Sequence, residues 1–278
     1  MADSASVFRG IANDAAKGLV LKPLIHNYLY DAEWPEDFSV RFKRGAVSRE
    51  PDGWFHPSEH PLWPARMLWF LVTQPKAMIP EKMAYMNTLA VTMGTAVHSF
   101  IEVCLKHIGV LLGPEELVAL GFTVNPENGE PSFSDPETLS RGHGDGVLKN
   151  IVLPQAPEHE FHLFEFKTSN GRKLAKVDDL DLAAFMATWP EYYAQAQEYL
   201  RMTGMAYSII LFMEMGFPWN LKEFHIPANT AFQRDTRDKY LEVREFVKTG
   251  HMPPPCCGPG SKEAKSCPAR AVCPVGMA

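Results

Sequence analysis

Three short segments carry side chains that could act together on a phosphate. They are Gly142-His143-Gly144-Asp145-Gly146, Phe164-Glu165-Phe166-Lys167-Thr168 and Gln195-Ala196-Gln197-Glu198-Tyr199. Alternate side chains of a strand share a face, so Glu165 and Lys167 project together while Phe164 and Phe166 project the other way. With Asp145 on a neighbouring strand, two carboxylates and an ammonium meet at a sheet edge. Such a set can hold a hard divalent cation against a phosphate and polarise a water. Glu-x-Lys alone is weak, and a structural ion pair is its competing reading. The apolar surroundings, Phe161, Leu163, Phe164 and Phe166, make the strand central, and charge there needs a reason. The glycines beside Asp145 let backbone or substrate approach, or else mark a turn or bulge.

The elements that must position these residues are legible in outline. Strands are expected over 143–153 and 160–168, joined by a loop with Pro154 and Pro157. Residues 179–203 read as a helix that Pro190 breaks or restarts. Tyr207 to Met213 and Leu221 to Ile226 read as strands, and 229–249 as an amphipathic helix capped by Asn229 or Thr230. Upstream, 64–75 suits a short helix, and Pro80 to Leu112 a long one ending near Gly113-Pro114. On the long helix Gly94, His98 and Glu102 share one face. Residues 125–131 form a turn-rich loop. The division expected is an N-terminal arm over 1–60, a core over 61–250 and a Cys-rich, metal-binding tail over 251–278.

The 278 residues are 46% hydrophobic and 22% charged, ordinary values for a folded chain. The net charge of −6 excludes a global basic footprint, so nucleic-acid binding would need local basic patches. No apolar run reads as a bilayer span, no membrane partner is expected, and the N-terminus lacks the plan of a signal peptide. Five cysteines, four of them at 256, 257, 267 and 273, point to a reducing cytoplasm and a metal site rather than a disulfide framework.

In order, Gly94 to Glu102, Gly142-x-x-Asp145, Glu165-x-Lys167 and Gln195-x-x-x-Tyr199 resemble the RecB-like branch of the PD-(D/E)xK nuclease superfamily. That branch includes CRISPR-associated RecB-like nucleases and phage-encoded exonucleases, and the resemblance covers about residues 55–275. It implies an α/β restriction-endonuclease-like core, a mixed β-sheet flanked by helices. It implies Asp145 and Glu165 as ligands of Mg²⁺ or Mn²⁺, with the Phe166 backbone carbonyl and His98 beside them. The competing reading of His98 is a satisfied core histidine, and of Glu102 a helix-surface charge. Lys167 would orient or help deprotonate the attacking water, or stabilise phosphoryl charge. Gln195 and Tyr199 would contact the DNA strand and shape the site, unless they form a surface stripe. Arg172 and Lys173, with Asn170 and Lys176, make a rim suited to phosphate, or a solvated loop.

The same resemblance implies a four-iron cluster held by three C-terminal cysteines and one upstream. Cys267-x5-Cys273 is similar to the end of that run. Two positions depart from it: Ala264 stands where a C-x-x-C pair would begin, and Trp63 where the upstream cysteine would stand. Three readings stay open for Cys256, Cys257, Cys267 and Cys273: one local iron–sulfur cluster, Zn²⁺, or free thiols. Cys104 reads as a buried apolar residue. The activity implied is a metal-dependent DNA exonuclease on single strands or ends, phage-encoded, in recombination or replication. It would work in the host cytoplasm, with a helicase or recombination protein as a candidate partner. The alternative is a catalytically silent or partner-dependent DNA-end-binding module of the same fold.

Overall fold

Proline sets several of the element boundaries in this chain, which is described over residues 4–31, 52–78, 85–216 and 219–277 in a computed structural model. Helices α1 (Ser4–Ala16) and α2 (Leu21–Asp31) come first, then α3 (Ala65–Thr73) with Pro64 as its N-cap. Helix α4 spans Tyr85–Ile108 and α5 spans Pro114–Ala119. Strands β1 (Thr123–Val124), β2 (Pro131–Asp135), β3 (Ser140–His143), β4 (Gly146–Lys149) and β5 (Phe161–Ser169) follow. Helices α6 (Gly171–Leu174), α7 (Leu182–Thr188) and α8 (Pro190–Thr203) lead to β6 (Tyr207–Glu214) and β7 (Leu221–Pro227). Helix α9 (Thr230–Thr249) precedes two short turns of helix in the tail, α10 (Lys262–Ser266) and α11 (Pro274–Met277). Pro190 disfavours helical geometry at Trp189, which takes φ −135° and ψ 61°, and itself opens α8 at a position where no N–H is needed. The Asn229 side chain accepts the Phe232 N–H and starts α9.

Two sheets result, flanked by helices in a mixed α/β architecture. One is the antiparallel meander β1-β2-β3; the other has the order β4-β5-β6-β7. Strands β4 and β5 are antiparallel, β5 and β6 parallel through the α6–α8 crossover, and β6 and β7 antiparallel. This arrangement is consistent with a restriction-endonuclease-like core. The central strands are near-continuous apolar runs because both faces are covered. Phe164, Phe166, Ile209 and Leu211 pack on Ile101 and Leu105 of α4 and on Leu21 and Ile25 of α2. Ile210, Phe212, Phe224 and Ile226 pack on Phe185, Trp189, Tyr193 and Ala196 of α7 and α8. Arg201 of α8 ties the meander to this layer, through Asp135 at 2.6 Å and Glu198 at 3.1 Å.

The N-terminal arm carries helices over Ser4–Ala16 and Leu21–Asp31 and joins the core, with Leu21 and Ile25 fully buried; three expectations elsewhere are corrected. Pro23 is tolerated because it lies in the first turn of α2; residues 32–51 lie outside the described residues. The long helix ends at Ile108, because Val110–Leu112 hydrogen-bond alongside β4, at Lys149 N–H to Val110 C=O and Leu112 N–H to Val147 C=O. Residues 79–84, where that helix was expected to begin, also lie outside the described residues. The strand expected over 143–153 is broken at Gly144-Asp145, so β3 and β4 belong to different sheets. Finally, Leu89–Ile108, with mean hydropathy 1.2, is long and apolar enough to cross a membrane by length and composition. In this fold its C-terminal half is packed against the sheet, with Ile101, Cys104 and Leu105 buried.

A buried carboxylate joins the N-terminal helices to the sheet. Glu223 of β7 is fully buried and accepts the N–H groups of Val20, Leu21 and Lys22 at 2.9, 2.9 and 2.8 Å. These are donors that the start of α2 leaves without helical partners. His225 completes the set, with Nε2 at 2.7 Å from Glu223 and Nδ1 at 2.8 Å from the Gln155 amide. Glu223→Ala strands these donors away from water, which costs about 1–3 kcal/mol per buried group. We expect it to lower the unfolding free energy by about 3 kcal/mol or more in urea titration. A loss below about 1 kcal/mol would show that α2 is not held through Glu223.

Candidate active site

The register of the four-stranded sheet leaves half of one strand edge without a neighbour. Pairing of β4 with β5 stops at Gly146 opposite Phe164, so from Glu165 onward that edge of β5 has no strand beside it among the described residues. Asp145 stands at this point, where the chain passes from one sheet to the other. Its Oδ2 accepts the Phe166 N–H at 2.7 Å, replacing the missing ladder bond with a charge-assisted one. The N–H and C=O of one strand residue point to the same edge, so the Phe166 carbonyl faces the same opening.

Side chains from both faces of the sheet reach this edge. On the α4 face, the His98 ring stacks on Phe166 with centroids 5.6 Å apart, and its Nε2 is 3.7 Å from Asp145 Oδ2. Glu102 Oε1 is 3.0 Å from the same nitrogen, out of hydrogen-bonding alignment. On the α8 face, Lys167 Nζ lies 2.6 Å from Glu165 Oε2 and 3.9 Å from Asp145 Oδ2. Gln195 donates to Glu165 Oε2 at 3.2 Å, and the Tyr199 hydroxyl donates to the His143 carbonyl at 2.7 Å. The geometry thus brings Asp145, Glu165, Phe166, Lys167 and His98 together around one point. Gln195 and Tyr199 do not form a surface stripe. Both are buried, and they hold Glu165 and the β3–β4 junction where direct contact with DNA was expected.

Opposed charges govern protonation here. Burial works against the ammonium of Lys167, but Glu165 and Asp145 outweigh it and push its pKa up, so Lys167 stays charged. Burial and the neighbouring Asp145 push Glu165 upward, against Lys167. Burial works against a charged His98 too, but Asp145 and Glu102 raise its imidazole to about 9. Glu130 was not anticipated: burial first, then the charges of Asp145 and Glu102, push its carboxyl up to about 7. A fourth carboxylate therefore feels the same acidic field. No spacing in the sequence pointed to it, since it sits at the end of the turn before β2.

The donor set suits a hard divalent cation. Glu165 Oε1 is buried and has no hydrogen-bond partner, and His98 Nε2 has none in alignment. Carboxylate oxygens with one imidazole match Mg²⁺ or Mn²⁺. Among the described residues, no group of three or more His, Cys, Asp or Glu side chains stands ready to hold a metal ion as placed. Lys167 bridges to Glu165, and the Phe166 N–H engages Asp145, so ligation requires these carboxylates to turn.

Two glycines of the first motif serve packing rather than substrate approach. A Cβ on Gly146 would meet Leu111 Cδ1 at 2.5 Å, and one on Gly142 would meet Tyr199 Cε1 at 2.9 Å. Of the expected rim, Arg172 is exposed, while Lys173 lies 5.4 Å from the Trp189 ring centroid and 3.8 Å from Glu191. Tyr192 was missed, although Tyr192, Gln195 and Tyr199 share one helical face; its ring centroid is 5.6 Å from Lys167 Nζ.

The tail cysteines converge away from this site. Cys256, Cys257, Cys267 and Cys273 line one cavity of about 10 Å³ together with Arg66, whose Nη1 is 3.9 Å from Cys273 Sγ. That volume is roughly one water-sized sphere. Thiolate donors suit zinc or an iron–sulfur cluster, but among the described residues the four thiols are not placed as a ready metal site. Burial pushes the Cys256 and Cys267 thiols up. Cys104 is buried, as expected of an apolar residue, and its thiol is pushed up to about 11 by burial.

No family model and no curated protein matches the chain. Among solved structures, a protein titled SSO0001 is 12% identical, covering 93% of this chain and 96% of its own, with TM-score 0.40. An alkaline exonuclease from Laribacter hongkongensis is 14% identical, covering 71% of this chain and 89% of its own, with TM-score 0.42. Likenesses this slight carry no argument about activity.

The strand that carries Gly142 and His143 is clamped from outside. Asp52 pairs with Arg141 and lies 3.1 Å from His56 Nε2, while Arg141 lies 5.1 Å from the centre of a Trp54 ring. Burial would raise the Asp52 carboxyl, but hydrogen bonds from Arg141, the Trp54 N–H and His56 hold it down at about 2. A depressed carboxylate stabilises the fold above its unfolded value and loses that contribution as pH falls through its folded value. Discounted for its partial exposure, Asp52→Asn should cost about 1 kcal/mol at pH 6. The difference from wild type should shrink as the pH falls below about 4 and vanish only below about 2. Urea midpoints across this range check it, and a loss that does not depend on pH would remove Asp52 from the clamp.

Proposed function

We propose that this chain is a divalent-metal-dependent deoxyribonuclease, an exonuclease acting on single-stranded DNA or DNA ends. The observation that carries the reading is the convergence of Asp145, Glu165, Lys167 and His98 on the open edge of β5, from three separate segments of the chain. The order of those segments, which resembles RecB-like nucleases, supports it independently. Asp145, Glu165, His98 and the Phe166 carbonyl would hold Mg²⁺ or Mn²⁺. A bound ion of this kind supplies Lewis acidity at a phosphate oxygen and lowers the pKa of a water.

The protein's own groups have separable roles. Lys167, beside Glu165 and Asp145, would stabilise the negative charge that builds on the phosphoryl oxygens or orient the attacking water. Gln195 orients Glu165, and Tyr199 fixes the β3–β4 junction next to Asp145. Water attacks phosphorus in line, the bond to the 3′ oxygen breaks, and the products are a 3′-hydroxyl and a 5′-phosphate. Arg172, with Lys173 and Lys176, supplies local positive charge in a chain of net charge −6. Unwinding would come from a helicase or recombination partner. Phage recombination or replication in the host cytoplasm is the setting we propose.

Cleavage of end-labelled single- and double-stranded DNA with Mn²⁺, Mg²⁺ or EDTA tests the reading. Wild type should degrade DNA only with metal, and Lys167→Ala or Glu165→Ala should slow it by roughly two to three orders of magnitude while folding is retained. DNA binding by all the proteins without cleavage by any of them would favour the second reading, a silent or partner-dependent DNA-end-binding module. That reading draws on the engagement of both carboxylates by Lys167 and the Phe166 N–H.

We also propose that the tail cysteines hold a structural metal centre, iron–sulfur or zinc, that fixes the tail against α3. Anaerobically purified protein should carry iron with a visible absorption band, or one equivalent of colourless zinc. Protein lacking both metals would leave the thiols free.

A further inference from the structure

A cleft of about 230 Å³ runs along the open edge of β5, from the α4 side of the sheet to the α8 side. Lys167 and Thr168 line it from the strand, Val91 and Thr95 from α4, and Tyr192 from the first turn of α8. The polar end therefore carries the ammonium assigned above to the phosphate. The His98 imidazole and the Thr168 hydroxyl are polar lining groups too, and on the α8 side the Tyr192 ring is the flat surface offered to the cleft. The Tyr192 ring is packed by Phe212, with centroids 5.7 Å apart, and the Lys167 ammonium lies over it at 5.6 Å, so the ring is held in place and is uncovered as that ammonium turns to a phosphate. Thr95 donates its hydroxyl to the Val91 carbonyl at 3.0 Å, so that hydroxyl is committed within α4.

We propose that Tyr192 is a positioning residue whose ring stacks on the unpaired base next to the scissile phosphate, making this cleft a one-base subsite for single-stranded DNA or a frayed end. The proposal rests on the nuclease reading. Charge complementarity places the phosphate at Lys167, and the cleft is continuous with that point. A held aromatic ring one short step from a phosphate site is how proteins bind single strands without choosing a sequence, since every base has a π-face. A base still paired in a duplex cannot enter, because its partner strand would have to follow it into the cleft. Single-strand preference then follows from the shape of the site, with no base-specific hydrogen bond.

The test uses the full chain and a short single strand carrying 2-aminopurine at its terminal nucleotide. In EDTA, binding of wild type and of Tyr192→Phe should quench the fluorophore by stacking. Tyr192→Leu, which keeps apolar bulk but loses the ring, should leave it bright and bind about tenfold more weakly. Quenching that persists in Tyr192→Leu, or no binding by wild type, overturns the proposal. A second comparison needs no variant: a strand with an abasic terminal nucleotide should bind wild type about tenfold more weakly than the intact strand. In Tyr192→Leu the abasic change should add nothing further, because the two losses remove one interaction. Equal binding of abasic and intact strands to wild type overturns the proposal. Base-dependent quenching with no cleavage under any metal would reject the nuclease reading alone. Metal-dependent cleavage of both strands at one rate would reject the base subsite alone.

Discussion

The site depends on an unfinished edge. A strand inside a sheet has its N–H and C=O groups claimed on both sides, and no ligand can reach them. Here β4 leaves β5 after Gly146 opposite Phe164, and β3 goes to another sheet. Half of β5 is thereby exposed on one side while β6 still holds it on the other. An open edge invites another strand; here the Asp145 carboxylate meets the Phe166 N–H instead. The same divergence sets Asp145 between two sheet faces, 3.7 Å from His98 on one side and 3.9 Å from Lys167 on the other. Had β3 and β4 run on as one strand along β5, both groups would have been screened from each other by backbone.

Holding such a junction open requires rigid surroundings. Tyr199 and Gln195 are buried polar groups committed to the His143 carbonyl and to Glu165. Arg201, two residues beyond Tyr199 on another face of α8, binds Asp135 of the meander. One helix therefore supports both sheets, and the distance between them is set by three side chains of that helix. Buried ionic groups are weak evidence for stability, since desolvation offsets much of their attraction. Their effect here is on geometry: each is directional, and together they leave few alternative placements for β3 relative to β5.

Much of this was legible in the sequence because it rests on local rules. The strand at 161–169 declares itself by apolar residues flanking Glu165 and Lys167, and the restart of α8 by Pro190. The pairing of Glu165 with Lys167 follows from the two-residue period alone. What could not be read depends on contacts between distant segments. The α2 helix is stabilised by Glu223 from the far end of the chain, and a propensity argument does not see a cap supplied two hundred residues away. The break at Gly144-Asp145 looks like continuous strand because Gly146, Val147 and Leu148 alternate acceptably. Only the approach of Leu111 and Tyr199 to the glycines shows why the chain must bend there. Glu130 joins the acidic field through the fold of a turn, which leaves no trace in spacing.

The placement of His98 shows how the two kinds of information combine. By period, His98 and Glu102 share a face of α4, and spacing alone favours a core histidine at 98 and leaves Glu102 readable as a surface charge. Packing decides where the histidine goes. Ile101 and Leu105 turn into the sheet, which fixes the rotation of the helix and sends His98 toward Phe166 and the open edge. The stacked ring cannot follow Asp145 if that carboxylate turns. The cation proposed above is one that both groups could reach across the intervening 3.7 Å. A compact cation suits that separation, and a direct hydrogen bond between the two groups does not.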